Sequence, residues 1–159
     1  MVADAVAAFD AQTLARPTAI ELQLEPGLVV AGDQPTLVRA LANLLHNAWK
    51  YSGDDKQITV TARAVGRKVE LAVADNGLGL CGKEHTEVFA RFARGRAALE
   101  RGTPGVGLGL AFVQAIARGH RGRIHASPRP GGGTIFTMRL PRARTRAASP
   151  VPTPEAVTT

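Results

Sequence analysis

The chain has 159 residues, 45% of them apolar, and a net charge of +7, which suits one domain with a core of ordinary proportions. One cysteine, Cys81, excludes an intramolecular disulfide, and there is neither a signal peptide nor a run of about 18 apolar residues able to span a bilayer. A cytoplasmic setting is predicted, and with one Trp and one Tyr the core must be largely aliphatic.

Residues Val2 to about Leu14 read as an amphipathic helix, followed by Pro17. Two short β-like runs, Ile20 to Leu24 and Leu28 to Ala31, flank Pro26-Gly27 and predict a hairpin. Asp33 is placed to cap the next helix, with Pro35 in its first turn and a stop near Ser52-Gly53. That helix carries Asn43-Leu44-Leu45-His46-Asn47-Ala48-Trp49-Lys50-Tyr51. At 3.6 residues per turn, Asn43, Asn47 and Lys50 fall within about 60° of one another, while Leu37, Leu41, Leu44, Leu45 and Ala48 form a stripe roughly 130° away. One face packs and the other presents two amides and an ammonium, which suggests a bound ligand.

Two strands rich in β-branched residues follow, Ile58 to Val65 and Lys68 to Ala74, and the second runs into Asp75-Asn76-Gly77-Leu78-Gly79. From Leu80 to Val106 the chain reads as a long irregular loop, broken by a possible helical turn in Glu87 to Phe92; loops of that length are usually functional or mobile. Gly105-Val106-Gly107-Leu108-Gly109-Leu110 opens a helix to about Arg118, with Gly119 expected as its C-cap. A last hairpin joins Arg123 to Ser127 with Thr134 to Leu140. Residues 1–141 are expected to form the domain, and 142–159, rich in Arg, Pro, Ser and Thr, a disordered tail.

Arginines gather as Arg91, Arg94, Arg96 and Arg101, as Arg118, Arg121 and Arg123, and as Arg139, Arg142, Arg144 and Arg146. No basic helix or base-stacking aromatic platform accompanies them, so nucleic acid is not an expected partner. The glycines carry more information. Gly105, Gly107 and Gly109 before a helix gather free backbone N–H groups and the positive helix end, a receptor for phosphate, although a flexible packed turn explains them equally well in isolation. Asp75 alone reads as a solvated turn residue. The order decides: asparagine helix, strand, Asp-x-Gly-x-Gly, long loop, Gly-x-Gly-x-Gly, and Gly133-Thr134 entering a strand.

These segments resemble the ATP-binding catalytic domain of sensor histidine kinases, in the superfamily that includes DNA gyrase, mismatch-repair ATPases and the large heat-shock chaperone. Asn43 to Tyr51 resembles the N box, Asp75 to Gly79 the G1 box, Phe89 to Phe92 the F box, Gly105 to Leu110 the G2 box, and Gly133-Thr134 the last nucleotide motif. The resemblance implies an α+β, two-layer α/β sandwich of the Bergerat type, with a mixed, mostly antiparallel sheet of about five strands and helices on one face. It implies ATP and Mg²⁺ as cofactors. Asn47 would hold the metal, with Asn43 beside it, Lys50 would offset phosphate charge, and Tyr51 would pack on adenine or ribose. Asp75 would accept from the adenine amino group, with Gly77, Gly79 and Thr134 around it. Gly105, Gly107, Leu108 and Gly109 would close on the triphosphate, with Arg91, Arg94 and Arg96 as possible cations nearby.

By the same resemblance, Asn43 stands where hydrolysing members keep a glutamate, and an amide cannot act as general base. That favours a kinase over a hydrolase. None of His46, His85, His120 or His125 has the setting of a phosphoacceptor, so the implied partners are a dimerisation domain bearing that histidine and a cognate response regulator, without nucleic acid or membrane contact by this domain. Ala90 departs from the F box, where an acidic residue is common. The competing expectations are a nucleotide-binding regulatory module without transfer activity and an anti-sigma-type serine kinase.

Overall fold

The computed structural model describes residues 1–12, 20–100, 102 and 105–143. Helix α1 (Val2–Gln12) precedes strand β1 (Ile20–Leu24), helix α2 (Gln34–Tyr51) and strands β2 (Ile58–Val65) and β3 (Lys68–Asp75). Short helices α3 (Glu84–Glu87) and α4 (Arg96–Glu100) lead to α5 (Gly109–Gly119), β4 (Arg123–Pro128) and β5 (Thr134–Pro141). The end of the first helix beyond Gln12, Pro17, Arg101, Arg144, Arg146 and the expected tail from 144 onward lie outside the described residues.

The five strands form one mixed sheet in the order β1-β2-β3-β5-β4, antiparallel except for the β1–β2 pair. Residues Ala5 and Phe9 of α1, Leu37 to Ala48 of α2 and Leu110 to Ala117 of α5 share one core with Ile58, Val60, Leu71, Val73, Phe136, Met138 and Leu140. All of these strand residues sit at alternate positions, so one sheet face is covered by helices and the architecture is a two-layer α+β sandwich. On the other face Glu70 lies between Arg63 and Arg139, to which it is ion-paired at 2.7 Å and 2.5 Å.

Local chemistry explains most element ends. Asp33 caps α2 by accepting the Thr36 N–H at 3.0 Å, with Pro35 in the first turn, and Ser52 closes it by donating to the Ala48 carbonyl at 2.7 Å. Three expectations need correction. The predicted hairpin at 20–31 does not form. Strand β1 instead pairs in parallel with β2, Ile20 opposite Ile58, while the second run contributes only a bridge from Val30 to Arg142. The free edge of β2 supplies a longer ladder than a hairpin across Pro26-Gly27 could, and Glu25 extends it by donating its N–H to Ala62 at 2.9 Å and accepting from Ala64 at 2.8 Å. Arg142 and Ala143, placed in the tail by the sequence, donate backbone N–H groups to Arg67 and Val29.

The second correction concerns α5. Its C-cap is His120 rather than Gly119, and the left-handed residue is Arg121 at φ 54°. The Gly122 N–H returns to Ala117 at 2.7 Å, completing a Schellman-type closure. Third, the helical turn expected within Glu87 to Phe92 lies earlier, at α3, and α4 occupies part of the loop read as irregular. One carboxylate organises both: Glu84 accepts the Cys81 N–H at 2.8 Å and the Arg96 N–H at 2.6 Å.

Candidate functional site

A cavity of about 380 Å³ lies between α2, the end of β3 and the glycine-rich start of α5. From α2 it is lined by Asn43, His46, Asn47, Lys50 and Tyr51, the polar face that helical spacing isolates. Asn43 donates its Nδ2 to the Arg39 carbonyl at 2.9 Å, which fixes the amide and turns Oδ1 toward Gly109, where an added Cβ would lie 3.3 Å away. Asn47 has no hydrogen-bond partner among the described residues, and its amide also faces Gly109. Lys50 places Nζ 3.4 Å from the Tyr51 hydroxyl and 4.9 Å from its ring centroid, against Gly105, where a side chain would collide with the ammonium.

Asp75 is 3% exposed at the end of β3, yet it lines the cavity. Its Oδ1 accepts two backbone donors, Gly77 at 2.8 Å and Thr134 at 3.2 Å. No partner for Oδ2 occurs among the described residues. Burial pushes the Asp75 carboxyl above its ordinary value, opposed by the Gly77 and Thr134 N–H groups and the charge of Arg129. The site therefore offers one uncommitted carboxylate oxygen in an apolar surround, suited to a group that donates a hydrogen bond.

Of the predicted residues, Asn43, Asn47, Lys50, Tyr51, Asp75, Gly79, Gly105, Gly107, Leu108, Gly109 and Thr134 line this cavity. Gly77 does not. It brings the Asp75 turn against the end of α2, where the Leu78 N–H donates to Tyr51 at 3.2 Å and a Cβ on Gly77 would sit 2.9 Å from Asp75 Oδ1. Arg94 lines the cavity, whereas Arg91 and Arg96 do not. The loop is docked onto the glycine segment by the Phe92 N–H, which donates to Gly107 at 2.9 Å, with Phe92 in the left-handed region at φ 65°.

The remaining lining is apolar and was not singled out by sequence: Leu78, Leu80, Val88, Ala93, Val106, Leu110 and Phe136, with His46 and Gly95. Phe136 was within reach, because it shares the inward face of β5 with Thr134, two residues before. It meets Phe89 edge to face at 6.2 Å, so the F-box phenylalanine forms part of the wall behind the site. Leu80 and Val88 lie in the segment without a periodic pattern.

No group of three His, Cys, Asp or Glu side chains that could hold a metal occurs among the described residues. The Asn47 amide oxygen, unpaired and beside Asn43, is nevertheless a hard neutral donor of the kind Mg²⁺ accepts alongside water and phosphate oxygens. No described helix is long and apolar enough to cross a membrane.

Residues 32–144 match the family of histidine kinase-, DNA gyrase B- and HSP90-like ATPases. The sensor-like histidine kinase SenX3 of Mycobacterium tuberculosis (strain H37Rv) is 45% identical over 114 residues, covering 72% of this chain and 28% of SenX3. The sensor protein KdpD of Escherichia coli K12 is 43% identical over 118 residues, 74% of this chain and 13% of KdpD. The chain thus spans less than a third of these relatives. Among solved structures, the mycobacterial sensor histidine kinase MprB superposes with a TM-score of 0.76 at 27% identity, covering 89% of this chain and 93% of that one. The ATP-binding domain of PrrB from Mycobacterium tuberculosis gives 0.65 at 26% identity, covering 89% and 94%. A match over most of the chain, on a sheet and helices of this arrangement, places the protein in the histidine kinase-, DNA gyrase B- and HSP90-like ATPase family, as a catalytic domain of the sensor histidine kinase type.

Proposed function

We propose that this domain binds Mg²⁺–ATP and donates the γ-phosphoryl group to a histidine on a separate dimerisation domain, for onward relay to a cognate response regulator. One observation carries the reading: the uncommitted Oδ2 of buried Asp75 and the unpaired amide of Asn47 open onto the same cavity, bounded by the glycine-rich start of α5. Asp75 Oδ2 accepts from the adenine amino group, and guanine, with a carbonyl there, is repelled. Tyr51 flanks the base or ribose. The free N–H groups at the start of α5 and the Lys50 ammonium take phosphate charge, and Asn47 is the protein ligand for Mg²⁺, which neutralises charge on the transferred group when bound.

Phosphoryl transfer needs mainly alignment and charge neutralisation, so a site without its own base is chemically adequate. A P–N bond forms to the acceptor imidazole while the bond from the γ-phosphorus to its bridging oxygen breaks, and ADP leaves with that electron pair. Asn43 supports this outcome, since its amide is held by the Arg39 carbonyl and cannot activate water. The domain acts in the cytoplasm on nucleotide and protein, without nucleic-acid or membrane contact of its own; two of its arginines, Arg63 and Arg139, are engaged with Glu70.

The test combines this domain with the dimerisation domain of the same gene and γ-labelled ATP. Acid-labile phosphohistidine on the second domain is expected, dependent on Mg²⁺. Nucleotide binding with no transfer would overturn the kinase reading in favour of a regulatory module.

A further inference from the structure

Helices α2 and α5 run antiparallel: the first residues of α2 meet the end of α5, and Asn43 meets Gly109 at its start. Both helices give aliphatic side chains to the shared core, Leu37 and Leu41 from α2 and Val113 and Ala117 from α5. Burial of such surfaces is non-directional, so polar and aromatic contacts between the helices add to what sets their axial register. Two directional contacts do so: the Arg39 guanidinium of α2 lies over the Phe112 ring of α5, 5.3 Å from its centroid, and His120 joins the far ends. His120, directly after α5, faces the Ile116 carbonyl with Nδ1 at 2.8 Å and accepts the Asp33 N–H on Nε2 at 3.1 Å. An acceptor at Nε2 requires a bare nitrogen, which assigns the ring proton to Nδ1, donated to Ile116. Gly32 packs so closely on the ring edge that a Cβ there would collide with Cδ2.

His120 thus clips the last turn of α5 to the cap residue of α2. The two ends of α5 are about 16 Å apart at 1.5 Å per residue, and the opposite end is the glycine turn that faces the Asn43 and Asn47 amides. We propose that His120 is a positioning residue for the nucleotide: by fixing the axial register of α5 on α2, it sets the distance between the phosphate-binding start of α5 and the two asparagine amides. It touches no nucleotide itself and acts through the helix. The inference rests on the nucleotide-binding reading of the cavity.

The full 159-residue chain is titrated with a non-hydrolysable ATP analogue and Mg²⁺, and melting is followed in parallel. H120N keeps a polar group near the Nδ1 position only, whereas H120Q carries an amide oxygen toward the Nε2 position. H120N is expected to weaken analogue binding about fivefold, the scale of one lost hydrogen bond, at temperatures well below its Tm, and H120Q to restore most of it. Gly32→Ala, which displaces the ring without altering it, is expected to reproduce the loss and serves if H120N does not fold. A lowered Tm with unchanged affinity in both H120N and Gly32→Ala overturns the inference and leaves His120 a structural residue. No binding by the unaltered chain overturns the nucleotide reading itself, and this inference with it.

Discussion

Thr134, the first residue of β5, donates its backbone N–H to the carboxylate of Asp75, the last residue of β3, at 3.2 Å across 59 residues of sequence. Gly133 makes this possible: at φ 100° it lies directly on the Asp75 carbonyl, where a Cβ would collide. Together with the Gly77 N–H, the contact occupies one carboxylate oxygen of a residue that lines the cavity and leaves the other without a partner among the described residues.

Asp75→Asn separates binding from stability. The amide oxygen can keep both backbone donors at the Oδ1 position, which forces Nδ2 into the cavity, where it meets the adenine amino group as donor against donor. Analogue affinity is expected to fall at least about tenfold. The folded carboxyl titrates above its ordinary value of 3.8, so the folded chain holds that proton more tightly than the unfolded chain. Its contribution to stability therefore declines as pH rises from 3.8 through the raised value, and the buried charge opposes folding at neutral pH. Thermal melting at pH 7 should show Asp75→Asn at or above the parent Tm; a large drop would contradict the assignment of both donors to Oδ1.

Asn47→Ala removes the proposed metal ligand and little else, since its amide has no partner among the described residues. Calorimetric titration should show analogue binding that no longer tightens when Mg²⁺ is added, with Tm in the absence of nucleotide within about 0.5 kcal/mol equivalent of the parent. Preserved Mg²⁺ enhancement would place the metal elsewhere.

Gly107→Ala tests the junction of loop and glycine segment. At φ 76°, a Cβ would sit 2.7 Å from the Ala93 carbonyl oxygen and 2.8 Å from the Phe92 carbonyl carbon, beside the Phe92 to Gly107 hydrogen bond. A loss of about 2 kcal/mol in denaturant unfolding is expected, together with weaker analogue binding. Gly102→Ala, left-handed at φ 61° but in open space, should lose only the backbone strain of about 1–2 kcal/mol and bind normally.

Glu70→Gln probes the uncovered sheet face. The hydrogen bond from Arg139 holds the Glu70 carboxyl below its ordinary 4.5, with Arg63 adding to it and burial opposing. The stabilisation is present above pH 4.5 and is lost as pH falls through the depressed folded value. Because both arginines are more than half exposed, solvent screening limits the expected loss at pH 7 to about 1 kcal/mol. The acid limb of the stability profile should flatten in the variant, and analogue affinity should not change.

The amide face of α2, the Asp75 turn and the glycine segment before α5 were legible in the amino-acid order, because helical periodicity, strand alternation and glycine's freedom at φ > 0 are local properties. Of the fifteen residues singled out on that basis and by family resemblance, twelve line one cavity; Gly77 shapes the turn behind it, and Arg91 and Arg96 lie outside it. Which edge β1 joins, the link Glu84 makes between the Cys81 and Arg96 N–H groups, the apolar wall of Leu80, Val88 and Phe136, and the clip from His120 to Asp33 across 87 residues were decided only by the tertiary structure. Each depends on which distant segments the packed core brings within hydrogen-bond or van der Waals range, and short-range pattern does not encode that distance.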